Sequence, residues 1–187
     1  DGQQQHLYRQ LNFDEAPISE LCAAHNNTIA VLVWLGNRPL RVAVRQVMIG
    51  RTVLYLLDTD VEGNQPKDRQ LSSRLYTADR EQRIEQEIVL GIGGVRVLRA
   101  LGIQPSVWHA NEGHTTFMML ERIREEVEAG TPFEQAIQRV SARTIFTTHT
   151  PVPAGTDIFP AQLVERYMST YWQSLGIDGE TFFNLGR

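Results

Sequence analysis

Two short runs constrain this chain more than anything else in it: Val107 to His114 and Thr144 to Gly155. Each begins apolar and rich in β-branched or aromatic residues, then ends in a cluster of His, Asn, Thr, Glu and Gly. Only two helix-like segments separate them. Strand, helices, strand is the layout of a crossover unit, in which the two strands run parallel. The polar cluster after each strand then falls at the carboxyl edge of the sheet, where open α/β sheets bind ligands. The order of the residues therefore predicts one sheet edge carrying Asn111, Glu112, His114 and His149.

The rest of the chain reads as a frame for that edge. A possible short helix near Pro17 to Ala24 follows a polar leader, and Thr28–Leu35 reads as a strand. Gly36-Asn37-Arg38-Pro39 is a turn signal. Leu40–Met48 alternates as a half-buried strand should, and Thr52–Leu57 is apolar enough for burial on both faces. This stretch is expected to be an antiparallel meander feeding a central strand at 52–57, with a polar loop from Asp58 to Arg69. From Asp79 to Leu101 the apolar residues Ile84, Ile88, Val95, Leu98 and Leu101 recur on one helical stripe. Gly91, Gly93 and Gly94 interrupt it. They resemble a dinucleotide loop only superficially, because no strand precedes them, so close packing or a helix break is their expected role. Asn111 reads as an N-cap for a helix running to about Ala129, and a second helix spans 132–143. The histidine loop is stiffened by Pro151 and Pro153, and Pro160 opens a further helix.

Composition excludes more than it assigns. A net charge of −4 without a basic stripe argues against nucleic acid. No apolar run reaches the roughly 20 residues of a bilayer span. The single Cys22 excludes an internal disulfide framework and suits a cytoplasmic setting. The start, Asp1-Gly2-Gln3, carries no Met and does not read as a signal peptide, so the chain is read as an incomplete fragment of a larger one. His109 is expected in the core by strand alternation, His6 and His25 on the surface. The His and Glu spacing is not read as a metal site, and no nucleophile elbow supports serine chemistry.

Phe146 to Gly155 and Trp108 to His114 resemble the α-glucan (glycogen, maltodextrin) phosphorylases, in particular the bacterial forms. Tyr55–Asp60, Leu75–Asp79, Arg83–Glu87, Gly91–Arg96 and Phe182-Phe183 continue the likeness in order. The resemblance implies a Rossmann-like α/β sheet flanked by helices, half of a GT-B glycosyltransferase fold. Residues 1–60 are expected to be an irregular leader and antiparallel β meander, or extension, joined to the sheet, and residues 61–187 the α/β part of the family's amino-terminal domain. It implies a parent that reversibly phosphorolyses α-1,4-glucans to glucose 1-phosphate. Matching the family's motifs residue by residue gives His149 as catalytic and Asn111, Glu112, His114, Asp79 and Asp157 as substrate-binding. Glu112 and Gly113 depart from the family's Asn-Asp-Thr-His segment. The family's pyridoxal phosphate lysine and phosphate-binding cluster have no counterpart here, so the cofactor is expected in the parent and not in this chain. The expected partners are the glucan, phosphate and a carboxy-terminal domain of the same chain. A homodimeric, allosteric, cytoplasmic parent fits the resemblance. The alternatives are a starch/glycogen synthase-like transferase using a nucleotide sugar, and a non-catalytic glucan-binding module.

Overall fold

The computed structural model describes residues 16–22, 28–74, 77, 79–150 and 157–186. Four strands, β1 (Ile18–Glu20), β2 (Ala30–Leu35), β3 (Arg38–Ile49) and β4 (Thr52–Asp58), form an antiparallel sheet. β3 is its centre. It pairs with β2 from Leu35↔Arg38 to Ala30↔Ala43, and with β4 from Ala43↔Asp58 to Ile49↔Thr52. β1 continues the β2 edge through Ile18↔Val47. Gly36 makes the β2–β3 turn at φ +60°, and a Cβ there would lie 2.8 Å from the Arg166 carbonyl oxygen. Both the turn and the neighbouring helix therefore demand glycine.

Two expectations fail in this sheet. The helix expected at Pro17–Ala24 is a strand over Ile18–Glu20, because an open stretch of the β3 edge offers backbone partners that local propensity does not count. The apolar run at 52–57 is not the central strand. β4 pairs only with β3 among the described strands and is half-buried, whereas β3 is hydrogen-bonded along both edges. Apolar content alone could not distinguish an apolar edge from a buried centre.

The inward face of the sheet, with Val33, Leu35, Leu40 and Val42 all buried, packs on helix α1 (Arg80–Ile88) through Ile84 and Ile88. α1 runs on through a five-residue π-turn, Val89–Gly93, into α2 (Gly94–Ala100). Gly91 allows that path. A Cβ at Gly91 would sit 2.6 Å from the Met118 backbone nitrogen, so the close packing expected of these glycines holds at Gly91, is milder at Gly93 (3.3 Å from Val33) and is not found at Gly94, where a Cβ would meet nothing. Helix α5 (Ala161–Ser174) adds Met168 and Trp172 to the same core, its C-cap Leu175 joins them, and α6 (Gly179–Asn184) packs Phe182 on Trp172.

The second sheet holds β5 (Trp108–Asn111) and β6 (Thr144–Thr147), paired in parallel from Trp108↔Thr144 to Asn111↔Thr147. Helices α3 (Phe117–Glu128) and α4 (Phe133–Ser141) make the crossover between them, as the spacing predicts. Arg122 of α3 is buried against the Trp108 ring, 4.9 Å from its centroid, and donates to Thr144 Oγ1 at 2.6 Å. One side chain thus grips both strands. Glu121, with no exposed side-chain surface, receives Arg96 of α2, Arg124 of α3 and Tyr171 of α5, joining three helices around one charge. The alternation expected for β5 is out of phase. Trp108 and Ala110 point inward while His109 is exposed, its Nε2 2.6 Å from Thr147 Oγ1. Packing against the helices favours the indole and the methyl, and the imidazole goes to the opposite face. No helix among the described residues is long and apolar enough to cross a membrane.

Candidate functional site

The last residues of β5 and β6 bring the two polar clusters together. After Asn111 the chain takes a turn that a strand-to-helix cap would not take: Glu112 has φ +65°, the one described non-glycine residue with positive φ. Such a backbone costs about 1–3 kcal/mol and persists only where surrounding contacts impose it. Those contacts are visible. The Glu112 amide donates to the Thr147 carbonyl at 2.8 Å, extending the ladder by one bond. Its side chain, 7% exposed, turns under the segment that follows β6. There Oε1 accepts from the His149 amide at 3.1 Å, the Thr150 amide at 3.0 Å and the Thr150 hydroxyl at 2.7 Å. Oε2 lies 3.4 Å from the Thr148 hydroxyl. The Thr150 hydroxyl, then the His149 amide, hold the Glu112 carboxyl below the ordinary glutamate range.

His149 is thereby fixed at its backbone and open at its ring. The side chain is 63% exposed, with Nδ1 3.2 Å from Glu112 Oε1 and Nε2 3.2 Å from Asn111 Oδ1. Asn111 is the final residue of β5 and not the N-cap expected of it: a 3₁₀ turn, Gly113–Thr115, intervenes and α3 begins at Phe117. The displacement follows from Glu112, whose positive φ sends the chain away from a direct helix start. Pro151 and Pro153, expected to stiffen the histidine loop, lie outside the described residues, as do His6 and His25.

A second group adjoins the first. His114 lines a cleft of about 300 Å³ with Arg83, Gln86 and Glu87 of α1 and with Leu57 and Leu71. Arg83 Nε donates to Asp157 Oδ2 at 2.9 Å and lies 3.2 Å from Glu87 Oε1. Burial lowers the His114 pKa and the Arg83 charge adds to that, while Glu112 and Asp157 oppose it. His114, Glu112 and Asp157 thus share one electrostatic environment. Asp79 is elsewhere in role: exposed at the start of α1, it accepts from the Glu81 amide at 2.9 Å as an N-cap. Arg83, Glu87 and Thr150 were not singled out from the sequence as site residues. The first two carried a signal, an i,i+4 Arg–Glu pair with an apolar residue between them on the core stripe.

Among the described residues no group of three or more His, Cys, Asp or Glu is placed to hold a metal. Nor do the residues fit pyridoxal phosphate, which is bound through a lysine Schiff base. Lys67 is the sole lysine in the chain and lies exposed in the loop after β4, just before the turn Asp68–Gln70.

No family model matches the chain. It is 44% identical over all 187 residues to a maltodextrin phosphorylase of Thermococcus litoralis, covering 22% of that protein. It is 45% identical over 90% of its length to a glycogen phosphorylase of Mycobacterium tuberculosis, covering 20%. It is 34% identical over 186 residues to a glycogen phosphorylase of Aquifex aeolicus, covering 27%. The chain therefore spans about a fifth to a quarter of the length of the curated relatives it matches.

Proposed function

From a chain that belongs to the α-glucan (glycogen, maltodextrin) phosphorylase family, we propose that its parent reversibly phosphorolyses α-1,4-glucans to glucose 1-phosphate. In this reading the segment forms the sugar-binding wall of the cleft, with residues 1–60 an extension and residues 61–187 the α/β part. His149 is the catalytic residue, and Asn111, Glu112, His114, Asp79 and Asp157 bind or orient substrate. Pyridoxal phosphate, the phosphate site and the carboxy-terminal half belong to other parts of a cytoplasmic, homodimeric parent.

The observation that carries the proposal is the Glu112 latch. Three donors from His149 and Thr150 converge on one carboxylate oxygen, so the backbone entering the site is held rigid while the imidazole stays open. Cleavage of a glycosidic bond develops positive charge on the sugar. A carbonyl or imidazole at a fixed position can stabilise that charge without reorganising, which is where electrostatic catalysis gains most. Asn111 supplies a second polar atom beside the same ring, suited to a sugar hydroxyl. The role of Asp79 rests on the family motif alone, since here it caps α1.

The test is His149→Ala in the full-length parent. Loss of one well-placed transition-state partner lowers turnover about 10²–10³-fold, with cofactor content unchanged. Near-normal phosphorolysis by that variant would reduce His149 to a loop residue and remove the catalytic assignment.

A further inference from the structure

Beside the latch lies a pair of carboxyls whose chemistry differs from that of Glu112. Glu87, on the inward side of α1, is 4% exposed, and its Oε1 has no hydrogen-bond partner among the described residues. It has a second acid for a neighbour: Glu87 Oε1 and Oδ2 of Asp157, 70 residues later, converge on the single N–H of Arg83 Nε, which donates to Asp157. Two carboxylates accept only, so they can meet in this way if one carries a proton. Arg83 offers one positive charge to both, at 2.9 Å from Asp157 and 3.2 Å from Glu87. Arg83 and one shared proton together offset the two acids.

We propose that Glu87 is a positioning residue: as a protonated acid it donates to Asp157 and, with Arg83, holds that carboxylate against α1 beside His114. The direction of titration agrees. Burial, then the contact with Asp157, pushes the Glu87 carboxyl up to about 8, with Arg83 opposing. Burial works against Asp157, yet Glu87 and Arg83 together hold it below the ordinary aspartate range. The pair titrates as a unit, with its proton on the buried member. The groups facing Glu87 are Arg83 on its own helix, Asp157 ahead of α5, His114 after β5 and Arg74 across the cleft. As pH rises through about 8 the shared proton leaves, the two negative charges repel each other beside Arg83, and the hold on Asp157 weakens. Below that pH the contact is intact.

The inference rests on the proposed phosphorolysis only for its activity readout. In the full-length parent, Glu87→Ala lowers kcat/KM roughly 10–100-fold, the usual consequence of a misplaced site group. Glu87→Gln, whose amide can donate to Asp157 but cannot ionise, restores most of that loss and removes the alkaline fall near pH 8. Infrared difference spectra of the parent show a protonated-carboxyl band at neutral pH that disappears in Glu87→Gln and titrates near pH 8. Equal losses in both variants with an unchanged pH profile would make Glu87 merely structural. Absence of the carboxyl band would overturn the shared proton whatever the activity. If His149→Ala keeps full activity while the band behaves as described, the proposed function fails and the Glu87 pairing stands.

Discussion

The two sheets of this molecule each leave large apolar residues exposed, but only one is built on a central strand paired along both edges. In the antiparallel sheet, the 12-residue β3 is paired along both edges and its inward residues vanish beneath α1 and α5. In the parallel sheet, β6 has four residues and a single partner among the described strands, and it leaves Ile145 55% and Phe146 49% exposed. Yet the second sheet carries the candidate site. The difference teaches that the first region holds itself together with its own side chains, whereas the second is held from beneath by Arg122 and at its carboxyl edge by Glu112. Polar and charged contacts hold the small sheet at both ends, whereas in the first sheet the ion pairs of Arg38 and Arg45 flank a broad apolar face. Such contacts are directional, so they fix atoms well and tolerate little change.

The largest test of that contrast is Ile88→Ala in the 187-residue chain. Ile88 is fully buried between α1 and the antiparallel sheet, so the cavity should cost about 2–5 kcal/mol, read from denaturant unfolding. A loss well under 1 kcal/mol would mean that the first region is not the stable one. Gly91→Ala should come next, at about 1–3 kcal/mol by the same measurement, since the added methyl meets the α3 backbone at 2.6–2.7 Å. Tolerance of alanine there would show that α3 can move away from the π-turn without consequence.

Phe146→Ser should change stability by only about 0.5 kcal/mol or less, because the ring is half-exposed. It should instead lower concentration-dependent light scattering, because an apolar strand edge is a template for association. Unchanged scattering would remove β6 as the adhesive edge. The smallest effect concerns pH. The Glu112 carboxyl is held below the ordinary glutamate range, so its contribution is present above the unfolded-state value and is lost as pH falls through the folded one. The amides of His149 and Thr150 should therefore lose hydrogen-exchange protection at acid pH before the amides of β3 do. Simultaneous loss would deny the latch its independence.

Much of the fold was legible before any coordinates. The parallel pairing of β5 and β6, the helical crossover and the packing role of Gly91 follow from residue period, segment length and glycine placement, all local quantities. The convergence of Asn111 and Glu112 with His149 was legible too, as a consequence of two parallel strands ending at one edge. The rest required knowledge of neighbours. Ile18–Glu20 became a strand because β3 had an unfilled edge, and β4 became an edge because β3 took the centre. His109 turned outward because Trp108 was the better ring to lay beneath Arg122.

What the sequence by itself determined is therefore periodic and short in range: the kinds of element, their order, and the edge at which the polar clusters would meet. What only the tertiary structure decided is which polar atoms answer one another across 37 or 74 residues: Glu112 under His149, and Arg83 against Asp157. The physical reason is that hydrophobic patterning acts through area, which a local repeat can encode. Hydrogen bonds and ion pairs act through the positions of individual atoms, and those positions exist only once both strands and α1 are in place.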